Sequence, residues 1–252
     1  MLGWALNEET NLREYVDHAE RFLRAATDDF ELVLIDDGST DSTWALMNEL
    51  KATRPWMSLI RNERNRGSGY NYRMAIGAAT KDYFLVQTVD WAYDISDMGR
   101  QFHLLRDYDI LQGVRDDTLS WDGAIRRSDS LWKALVSFVN YALIRVLFRV
   151  PVRDYQNVTV CPTRKVQAVT LEANSSFANP EVVIKMWWAG AHFLEVPVRF
   201  RKRQRGTATG TRWRSVFRSI REILGYWSRW VLLNRYPNRG RGRVSRFSQP
   251  LG

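Results

Sequence analysis

The feature that most constrains the fold is an apolar run that stops at two carboxylates and then turns into a helical pattern. It reads ELVLIDDGSTDSTWALMNEL over residues 31–50. The strand predicted at 30–35 ends at Asp36 and Asp37, Gly38 permits a tight turn, and a helix follows. Adjacent carboxylates at the end of a buried strand cost desolvation and mutual repulsion, so they need a cation, hydrogen-bond donors or a hydroxyl-bearing ligand.

The alternation of strand and helix continues to residue 90. Strands are predicted at 2–6, 30–35, 57–60 and 82–90, with helical patterns between them, and the last of these strands ends at Asp90. This order indicates an α/β fold with a doubly wound, mostly parallel sheet and helices on both faces. Ligands of such sheets bind beyond the carboxyl ends of the strands, so we expect the acids at both strand ends to face one crevice.

Beyond residue 100 the pattern is mixed. Strands are predicted at 108–114, 158–162 and 191–200, and helices at 130–148, within 163–190 and at 212–231. We expect one domain over 1–211, a basic amphipathic helix over 212–235 and a disordered basic tail over 236–252. The tail has too little apolar content to fold alone.

Positive charge is concentrated at the end of the chain. Residues 201–252 contain 14 Arg and Lys residues and one acid, Glu222, whereas the first 200 residues carry 23 basic and 27 acidic side chains. A basic end of this kind suggests a partner with phosphates: nucleic acid, anionic lipid headgroups or a phosphorylated substrate. The lone Cys161 excludes an intrachain disulfide, and no apolar run reaches about 18 residues, so we expect a soluble or surface-attached chain.

Two groups of acids carry the chemistry. In TVDWAYD, Asp90 and Asp94 stand four positions apart, and Mg²⁺ or Mn²⁺ binds one or two carboxylates together with phosphate oxygens; the alternative is that Asp94 caps the next helix. For Asp36 and Asp37, hydrogen bonding to the base or ribose of a nucleotide competes with turn chemistry. In GSGYNY, Tyr72 stands where a dinucleotide fingerprint has its third Gly, which disfavours hydride transfer.

The order of the motifs resembles the family 2 glycosyltransferases of the GT-A fold, and within them the polyprenyl-phosphate sugar synthases related to dolichyl-phosphate mannose synthase. The matching segments are LNEETNL at 6–12, LIDDGSTDST at 34–43, NRGSGYNYRMAIGAAT at 65–80, VDWAYD at 89–94, NYALIRVLFRVPVRDYQ at 140–156, FANPEVVIKMWWAG at 177–190 and EVPVRFRKRQRGTATG at 195–210. Each motif is common, but their order and spacing are specific.

This resemblance implies an enzyme that binds a nucleotide-diphosphate sugar. Its nucleotide-sugar residues would be Asn7, Glu8, Glu9, Asp36, Asp37, Gly67 and Asp90. The metal motif of the family usually reads Asp, any, Asp, any, Gln, whereas Ala92 and Asp94 replace its second Asp and its Gln here. We expect Asp90 and Asp94 to hold Mg²⁺ or Mn²⁺, with water at the position that Ala92 leaves. Trp4 is a second departure, because relatives often carry Pro there.

The acceptor implied by the resemblance is a polyprenyl phosphate. Its phosphate would be bound by side chains whose donors suit phosphate geometry: Arg126, Arg127, Arg145, Arg203, Arg205 and Thr207. The catalytic residues would be Asp90, Asp154 and Arg205. A phosphate monoester is already anionic near neutrality, so it needs little help from a base, and inversion at the sugar is expected. If the acceptor were instead a saccharide hydroxyl, in polysaccharide or glycolipid synthesis, Asp154 or Glu181 would serve as the base.

The helices predicted at 131–149 and 212–231 set basic residues opposite an apolar face. Such helices lie on anionic membranes or simply pack on a domain. Trp227 and Trp230 with the Arg-rich tail favour attachment, so we expect a cytoplasmic enzyme that is peripheral on the cytoplasmic face of a membrane. A degenerate transferase domain that binds nucleic acid is the disfavoured alternative, supported by Ala92 alone.

Overall fold

The computed structural model describes residues 1–115, 131–200, 213–236 and 239–247. The strands in that part are β1 Leu2–Ala5, β2 Leu32–Asp36, β3 Met57–Arg61, β4 Tyr83–Phe84, β5 Tyr93–Asp94, β6 Ile110–Val114, β7 Thr159–Pro162, β8 His192–Pro197, β9 Arg199–Phe200 and β10 Arg243–Arg246. The helices are α1 Leu12–Ala26, α2 Thr43–Ala52, α3 Ser68–Ala78, α4 Ser96–Arg100, α5 Leu131–Phe148, α6 Thr163–Gln167, α7 Ala178–Trp188 and α8 Trp213–Trp227. A π-helical turn, Ser228–Leu232, continues α8.

The main sheet is mixed but mostly parallel, as the sequence predicts. The strands β1, β2 and β3 are parallel neighbours, and so are β6, β8 and β10, whereas β7 runs antiparallel to both β6 and β4. A parallel bridge between Leu2 and Val86 joins the two groups of strands. The carboxyl ends of β1, β2 and the chain after β4 therefore lie next to one another.

Helices cover both faces of this sheet, which confirms the doubly wound arrangement. Successive residues of a strand point to opposite faces, and β2 shows the result. Val33 and Ile35 belong to one hydrophobic core with residues of α3, α5, α7 and α8. Leu32 and Leu34 belong to a second core with residues of α1 and α2. A strand buried on both faces reads as a continuous apolar run, which explains the sequence of β2.

Two predicted strands are shorter or more broken than expected. The strand expected at 82–90 forms a regular ladder only over Tyr83–Phe84 and then follows β1 through hydrogen bonds from Leu2 N to Leu85 O and from Gln87 N to Leu2 O. Asp90 consequently lies in a turn, where Trp91 N donates to Thr88 O. Likewise, the strand expected at 191–200 is divided into β8 and β9 at Val198.

The prediction of a disordered tail is wrong for residues 239–247, because part of this segment forms the edge strand β10. Arg243 N donates to Ala191 O and Phe247 N donates to Glu195 O, at 3.1 and 3.0 Å. The apolar content of the tail is low, but its backbone satisfies the open edge of β8, and pairing of this kind needs few apolar side chains.

The helix α8 packs on the domain along one side. Ile223, Tyr226 and Trp230 are buried in the core shared with α3 and α7, and Trp230 is 0% exposed. Trp230 is thus unavailable to a membrane, contrary to the expectation from sequence. Within the described ranges, no helix combines the length and the hydropathy needed to cross a membrane.

Candidate active site

The two acids at the end of β2 are both buried and differ in their partners. Asp36 Oδ1 accepts a hydrogen bond from Ser39 N at 3.1 Å, and Arg61 Nε lies 3.2 Å from Oδ2 as a charge contact without an aligned hydrogen bond. Asp37 accepts from three N–H groups: Asn62 Nδ2 at 2.9 Å, Arg66 N at 2.8 Å and Gly67 N at 3.1 Å. The carboxylate of Asp37 therefore fixes the loop that leads into α3. These N–H groups are the hydrogen-bond donors that a carboxylate at the end of a buried strand needs.

The loop after β1 is joined to the loop after β2. Asn7 has a left-handed backbone with φ of 55°, and its N–H donates to Ser39 Oγ at 2.9 Å while its Oδ1 accepts from Thr40 N at 2.9 Å. Glu8 N donates to Thr43 Oγ1, and Glu9 Oε2 accepts from Ser42 N, each at 2.9 Å. The segments predicted to bind the nucleotide thus lie side by side, with Asn7 and Glu9 exposed.

The start of α3 is the third part of this edge. Gly67 has φ of +84°, a conformation that L side chains rarely adopt, and an added Cβ would meet no atom of the described part of the chain within 4 Å. Asn62 Nδ2 donates to Asn71 Oδ1 at 2.7 Å as well as to Asp37. Asn71 is fully buried, and its Nδ2 has no hydrogen-bond partner among the described residues. The Nδ2 amide group of Asn71 is therefore left without a partner in the described structure. It lies beside Asp37 and the three groups that donate to it, from Asn62, Arg66 and Gly67, which we name the Asp37 cluster.

The turn with Asp90 and Asp94 follows. Both side chains are half-buried; Asp90 Oδ1 accepts from Ala92 N at 3.3 Å and Asp94 Oδ1 accepts from Ser96 N at 3.2 Å. Trp91 has φ of 47°, which turns the chain between the two acids. Asp94 contacts the first residue of α4 and lies opposite Arg199 in the β5–β9 ladder.

The donor set at this turn fits a hard divalent cation in part. The described residues contain no group of three His, Cys, Asp or Glu side chains able to hold a metal ion. Mg²⁺ and Mn²⁺ sites that bind nucleotides need only one or two carboxylates, because phosphates and waters supply the other oxygens. Thr88 and Tyr93 line the cavity described next, whereas neither acid is among its described walls. Asp90 and Asp94 are therefore both candidate ligands.

A cavity of about 340 Å³ lies beside these loops, beyond the ends of β1 and of the chain that follows β4. Its described walls combine aromatic, amide, hydroxyl and aliphatic side chains: Trp4, Tyr72, Tyr93, Gln156, Asn157, Asn179, Ser68, Thr88, Thr159, Ser175, Ser176, Val86, Val158 and Ala178. Ser68 follows Gly67 and Thr88 lies two residues before Asp90. The cavity wall thus comes next to Gly67 and within two residues of Asp90, whereas Asp36, Asp37, Asp90 and Asp94 are not among its described walls. The convergence of these acids on one pocket stays a prediction.

Tyr72 anchors one wall of the cavity. Its ring packs edge to face on Trp4, with the ring centroids 6.0 Å apart. Burial raises the pKa of the Tyr72 hydroxyl well above its usual value, so the hydroxyl keeps its proton and donates to Asn179 Oδ1 at 2.9 Å. Asn179 Nδ2 in turn donates to the carbonyl of Asn157 at 3.0 Å. The wall is a connected network of uncharged side chains.

Asp154 supports this wall from behind. It is 1% exposed and forms a bidentate pair with Arg115, with Nε to Oδ2 at 2.7 Å and Nη2 to Oδ1 at 3.0 Å. It also accepts from Gln156 N at 3.1 Å and from Asn157 Nδ2 at 3.3 Å. A carboxylate with four donors is a poor candidate for removing a proton from a substrate, so its contacts indicate a positioning role and not the catalytic role expected from sequence.

Glu181 and Arg145 are also held by the chain itself. Glu181 is 0% exposed and accepts from Lys185 Nζ, Glu172 N and Ala173 N, which does not fit the role of a base. Arg145 Nη1 donates to Tyr141 Oη and to the carbonyls of Pro151 and Val152 at 2.9 to 3.2 Å. The other predicted acceptor-phosphate residues lie outside the described residues: Arg126, Arg127, Arg203, Arg205 and Thr207.

A family comparison agrees with this geometry. The profile of Glycosyl transferase family 2 matches residues 4–158, which include the end of β1, the Asp37 cluster, the Asp90 turn and Asn157. The chain belongs to glycosyl transferase family 2. This confirms the resemblance drawn from the order of the motifs. The family 2 match ends before α7 and α8, so those helices are described by the structure alone.

Individual relatives of this family 2 chain share low sequence identity with it. A dolichyl-phosphate beta-glucosyltransferase of Dictyostelium discoideum is 28% identical over 136 residues, a match that covers 49% of this chain and 42% of that protein. Glucosyl-3-phosphoglycerate synthase from Mycobacterium tuberculosis, solved with Mn²⁺, UDP-glucose and phosphoglyceric acid, superposes with a TM-score of 0.61 at 13% identity over 90% of this chain and 78% of that one.

A second solved structure has a similar fold. A mannosyltransferase from Pyrobaculum calidifontis, in complex with GDP-Man and Mn²⁺, superposes with a TM-score of 0.53 at 16% identity, over 78% of this chain and 53% of that one. At such identities the likeness shows the fold, and it confirms the GT-A prediction. Both solved proteins carry Mn²⁺, and the synthase has also been solved with Mg²⁺ and UDP.

Several cavity residues were not identified by the sequence reasoning. Asn157, Ser175 and Asn179 line the cavity. The sequence pattern around each of them predicts secondary structure but does not indicate a role in ligand binding. Asn179 stands within FANP, a segment that matched the family, and that match was the one available signal. In the sequence, Tyr72 is notable only because it replaces the third Gly of a dinucleotide fingerprint.

Proposed function

We propose that this protein transfers a hexosyl group from a nucleotide-diphosphate sugar to a polyprenyl phosphate of the dolichyl type. One observation carries the proposal: the Asp37 cluster and the Asp90 turn adjoin the same cavity of about 340 Å³ through Ser68 and Thr88. The described walls of this cavity are uncharged and combine apolar side chains with amides and hydroxyls. Such walls suit a neutral hexose, whose hydroxyls need amide and hydroxyl partners. The name of the Dictyostelium relative supports the lipid phosphate as acceptor.

In this account the nucleotide lies across the loops with Asn7, Glu9, Asp37 and Gly67, and the hexosyl group enters the cavity. Asp90 and Asp94 would hold Mg²⁺ or Mn²⁺. When bound, that cation neutralises charge on the diphosphate. The residues of the chain align the donor so that its anomeric carbon faces the acceptor.

The transfer itself needs little acid–base chemistry from the protein. An oxygen of the acceptor phosphate forms the new bond to the anomeric carbon, the bond from that carbon to the diphosphate breaks, and the nucleoside diphosphate leaves with the electron pair. A phosphate monoester is already anionic near neutrality. The full engagement of Asp154 and Glu181 supports this acceptor over a saccharide hydroxyl, which would need a free carboxylate nearby.

Attachment to an anionic membrane surface is part of the proposal. Several large apolar side chains are exposed on α5, on α8 and on the turn after it: Leu135 at 41%, Phe138 at 37%, Val146 at 71%, Leu224 at 42%, Leu232 at 62% and Leu233 at 67%. The basic C-terminal segment complements anionic headgroups. Co-sedimentation with phosphatidylserine vesicles should therefore exceed that with phosphatidylcholine vesicles and fall in Val146→Glu; equal binding to both would contradict attachment.

The test of the reaction uses radiolabelled nucleotide sugars and a polyprenyl phosphate in detergent. Label in a lipid-extractable product that mild acid releases supports the proposal, with Asp90→Asn as the inactive control. Label in a glycoside stable to acid and alkali, formed with saccharide acceptors, would replace the lipid phosphate by a hydroxyl acceptor. Failure to bind any nucleoside diphosphate, together with salt-sensitive binding of DNA or RNA, would contradict both.

A further inference from the structure

The loop between α6 and α7 forms one wall of the cavity. Within residues 172–177, which we name the wall loop, Ser175 and Ser176 line the cavity directly. None of the residues proposed to bind the nucleotide belongs to this loop. The wall loop is therefore positioned to contact the group inside the cavity and not the nucleotide.

Helices α7 and α3 hold the wall loop from two sides. Glu181 on α7 accepts hydrogen bonds from Glu172 N and Ala173 N, each at 2.8 Å. At the start of α3 the backbone of Gly69 lies so close that an added Cβ would be 2.2 Å from the carbonyl carbon of Asn174. These contacts leave little room for the loop to move toward α3.

On the third side, α8 and the π-helical turn that continues it contact the wall loop through hydrogen bonds and a ring stack. Ser175 Oγ donates a hydrogen bond of 2.5 Å to Glu222 Oε2. Phe177 stacks on Tyr226 with ring centroids 5.1 Å apart and planes 4° apart, and Trp230 Nε1 donates to Glu172 Oε2 at 2.9 Å. Glu222 is the one acid among the last 52 residues, and its carboxylate is directed at this serine.

The hydrogen bonds of Ser175 restrict what its hydroxyl can offer. A serine hydroxyl has one donor and two acceptor positions. Its proton goes to Glu222, and one acceptor position is used by Phe177 N at 3.2 Å. No other group among the described residues bonds to this oxygen. The second acceptor position is therefore open to a group in the cavity, from which Ser175 can accept a hydrogen bond but to which it cannot donate one. A sugar hydroxyl can supply that donor.

We propose that Glu222 is a positioning residue that acts through Ser175: it fixes the wall loop and orients the Ser175 hydroxyl as an acceptor for a hydroxyl of the hexosyl group. This inference rests on the proposed function, in which the cavity receives the hexose. A hydrogen bond to a charged acceptor is stronger than one between neutral groups, which explains an acid at this place in a basic helix.

The test compares the affinity for a nucleoside diphosphate with that for the corresponding nucleotide hexose, by calorimetry. In Glu222→Ala the affinity for the nucleotide hexose should fall about tenfold, as expected for a lost charge-assisted hydrogen bond, while the affinity for the nucleoside diphosphate stays within twofold. Glu222→Gln should restore most of the loss, because its amide oxygen still accepts from Ser175.

Two further variants separate positioning from general destabilisation. Ser219→Ala removes another serine hydroxyl bond of α8, to Asn140 Oδ1 at 3.4 Å, and should change neither affinity. The loss in Glu222→Ala combined with Ser175→Ala should be much smaller than the sum of the two single losses, as for residues that act as a pair. Equal losses for both ligands in Glu222→Ala, or no loss, would overturn the inference.

Hydrogen exchange distinguishes failure of this inference from failure of the proposed function. Amide exchange at residues 175–177 should be faster in Glu222→Ala than in Ser219→Ala, whatever the ligand. If the unmodified protein bound no nucleotide, the proposed function and the hexose contact would both be rejected, and faster exchange would still support the hold of Glu222 on the loop. Unchanged exchange would overturn that hold as well.

Discussion

Asp37 Oδ2 accepts a hydrogen bond of 3.1 Å from the backbone N–H of Gly67, thirty residues away in the chain. This bond joins the end of β2 to the start of α3. It also explains why a buried strand ends in acids, because Asp37 is satisfied by N–H groups of a loop that Gly67 allows to turn. The Asp37 carboxylate therefore organises the backbone at this edge of the sheet, where we propose that the nucleotide binds.

Replacing Asp37 by Asn should destabilise the fold and the nucleotide site together. The amide would direct a donor at groups that are themselves donors, and a buried unsatisfied group costs about 1–3 kcal/mol. Chemical denaturation should show that loss, with weaker binding of nucleoside diphosphates. Glu63→Gln, an exposed acid in the same region, should be neutral. A loss for Asp37→Asn no greater than that of the control would contradict this account of the loop.

Gly67 and Gly77 form a matched pair for testing backbone strain. An added Cβ meets no atom of the described residues within 4 Å at either position, but of the two only Gly67 has a positive φ. Its φ of 84° with ψ of 161° lies in a region that is essentially restricted to Gly, so Gly67→Ala should cost about 1–3 kcal/mol through backbone strain alone. Gly77→Ala, on an exposed turn of α3, should stabilise by about 0.5–1 kcal/mol. The same sign for both changes would show that strain at Gly67 is unimportant.

Arg115→Ala, which breaks the Arg115–Asp154 pair, should lower the free energy of unfolding considerably. Asp154 is 1% exposed in this pair, and removing one partner of a buried ion pair costs about 3–5 kcal/mol; exposure of Arg115 at 20% favours the lower end. Arg13→Ala is the control, because its pair with Glu49 is exposed at both ends and should be worth less than about 1 kcal/mol. Denaturation midpoints of the two variants measure the contrast, and similar losses would refute it.

Cys161 should make stability depend on alkaline pH. The thiol is fully buried, and burial raises its pKa above the ordinary value. The folded state keeps the proton while the unfolded thiol ionises near pH 8.5, so this contribution is complete below that pH and falls by about 1.4 kcal/mol per pH unit above it. Cys161→Ala should flatten the free energy of unfolding between pH 8.5 and 9.5. An unchanged slope would contradict burial of the thiol.

The parts of the fold that follow from local pattern could be predicted from sequence. The run before Asp36 is apolar because both of its faces are buried, and α1 shows the spacing of a helix with one buried side. The tail could not be predicted, because β10 depends on the open edge of β8, and no local pattern reports a distant backbone partner. Burial of Trp230 was missed for a similar reason: its indole N–H bonds to Glu172, on a different element.

Within the site, residue types predicted the acids but not their partners. Asp154 was identified from a family motif as a site-lining acid, yet its bond to Arg115 depends on β6 lying beside the start of β7. Asp90 was expected at the end of a strand and lies in a turn, because the chain leaves β1 after the bond from Gln87 N to Leu2 O. The side chain of Gln87 then donates from Nε2 to the carbonyl of Tyr93 at 2.7 Å. Polar side chains inside a short apolar run were the available sign of that break.

The most direct test of the central claim is a calorimetric titration of UDP and GDP into the protein with and without Mn²⁺, in the unmodified chain and in Asp90→Asn. The account predicts that Mn²⁺ strengthens binding of one of these nucleotides at least tenfold in the unmodified chain, and that Asp90→Asn removes this gain while leaving binding without metal unchanged. A metal-dependent gain that persists in Asp90→Asn would contradict the assignment of this turn to the diphosphate of the donor.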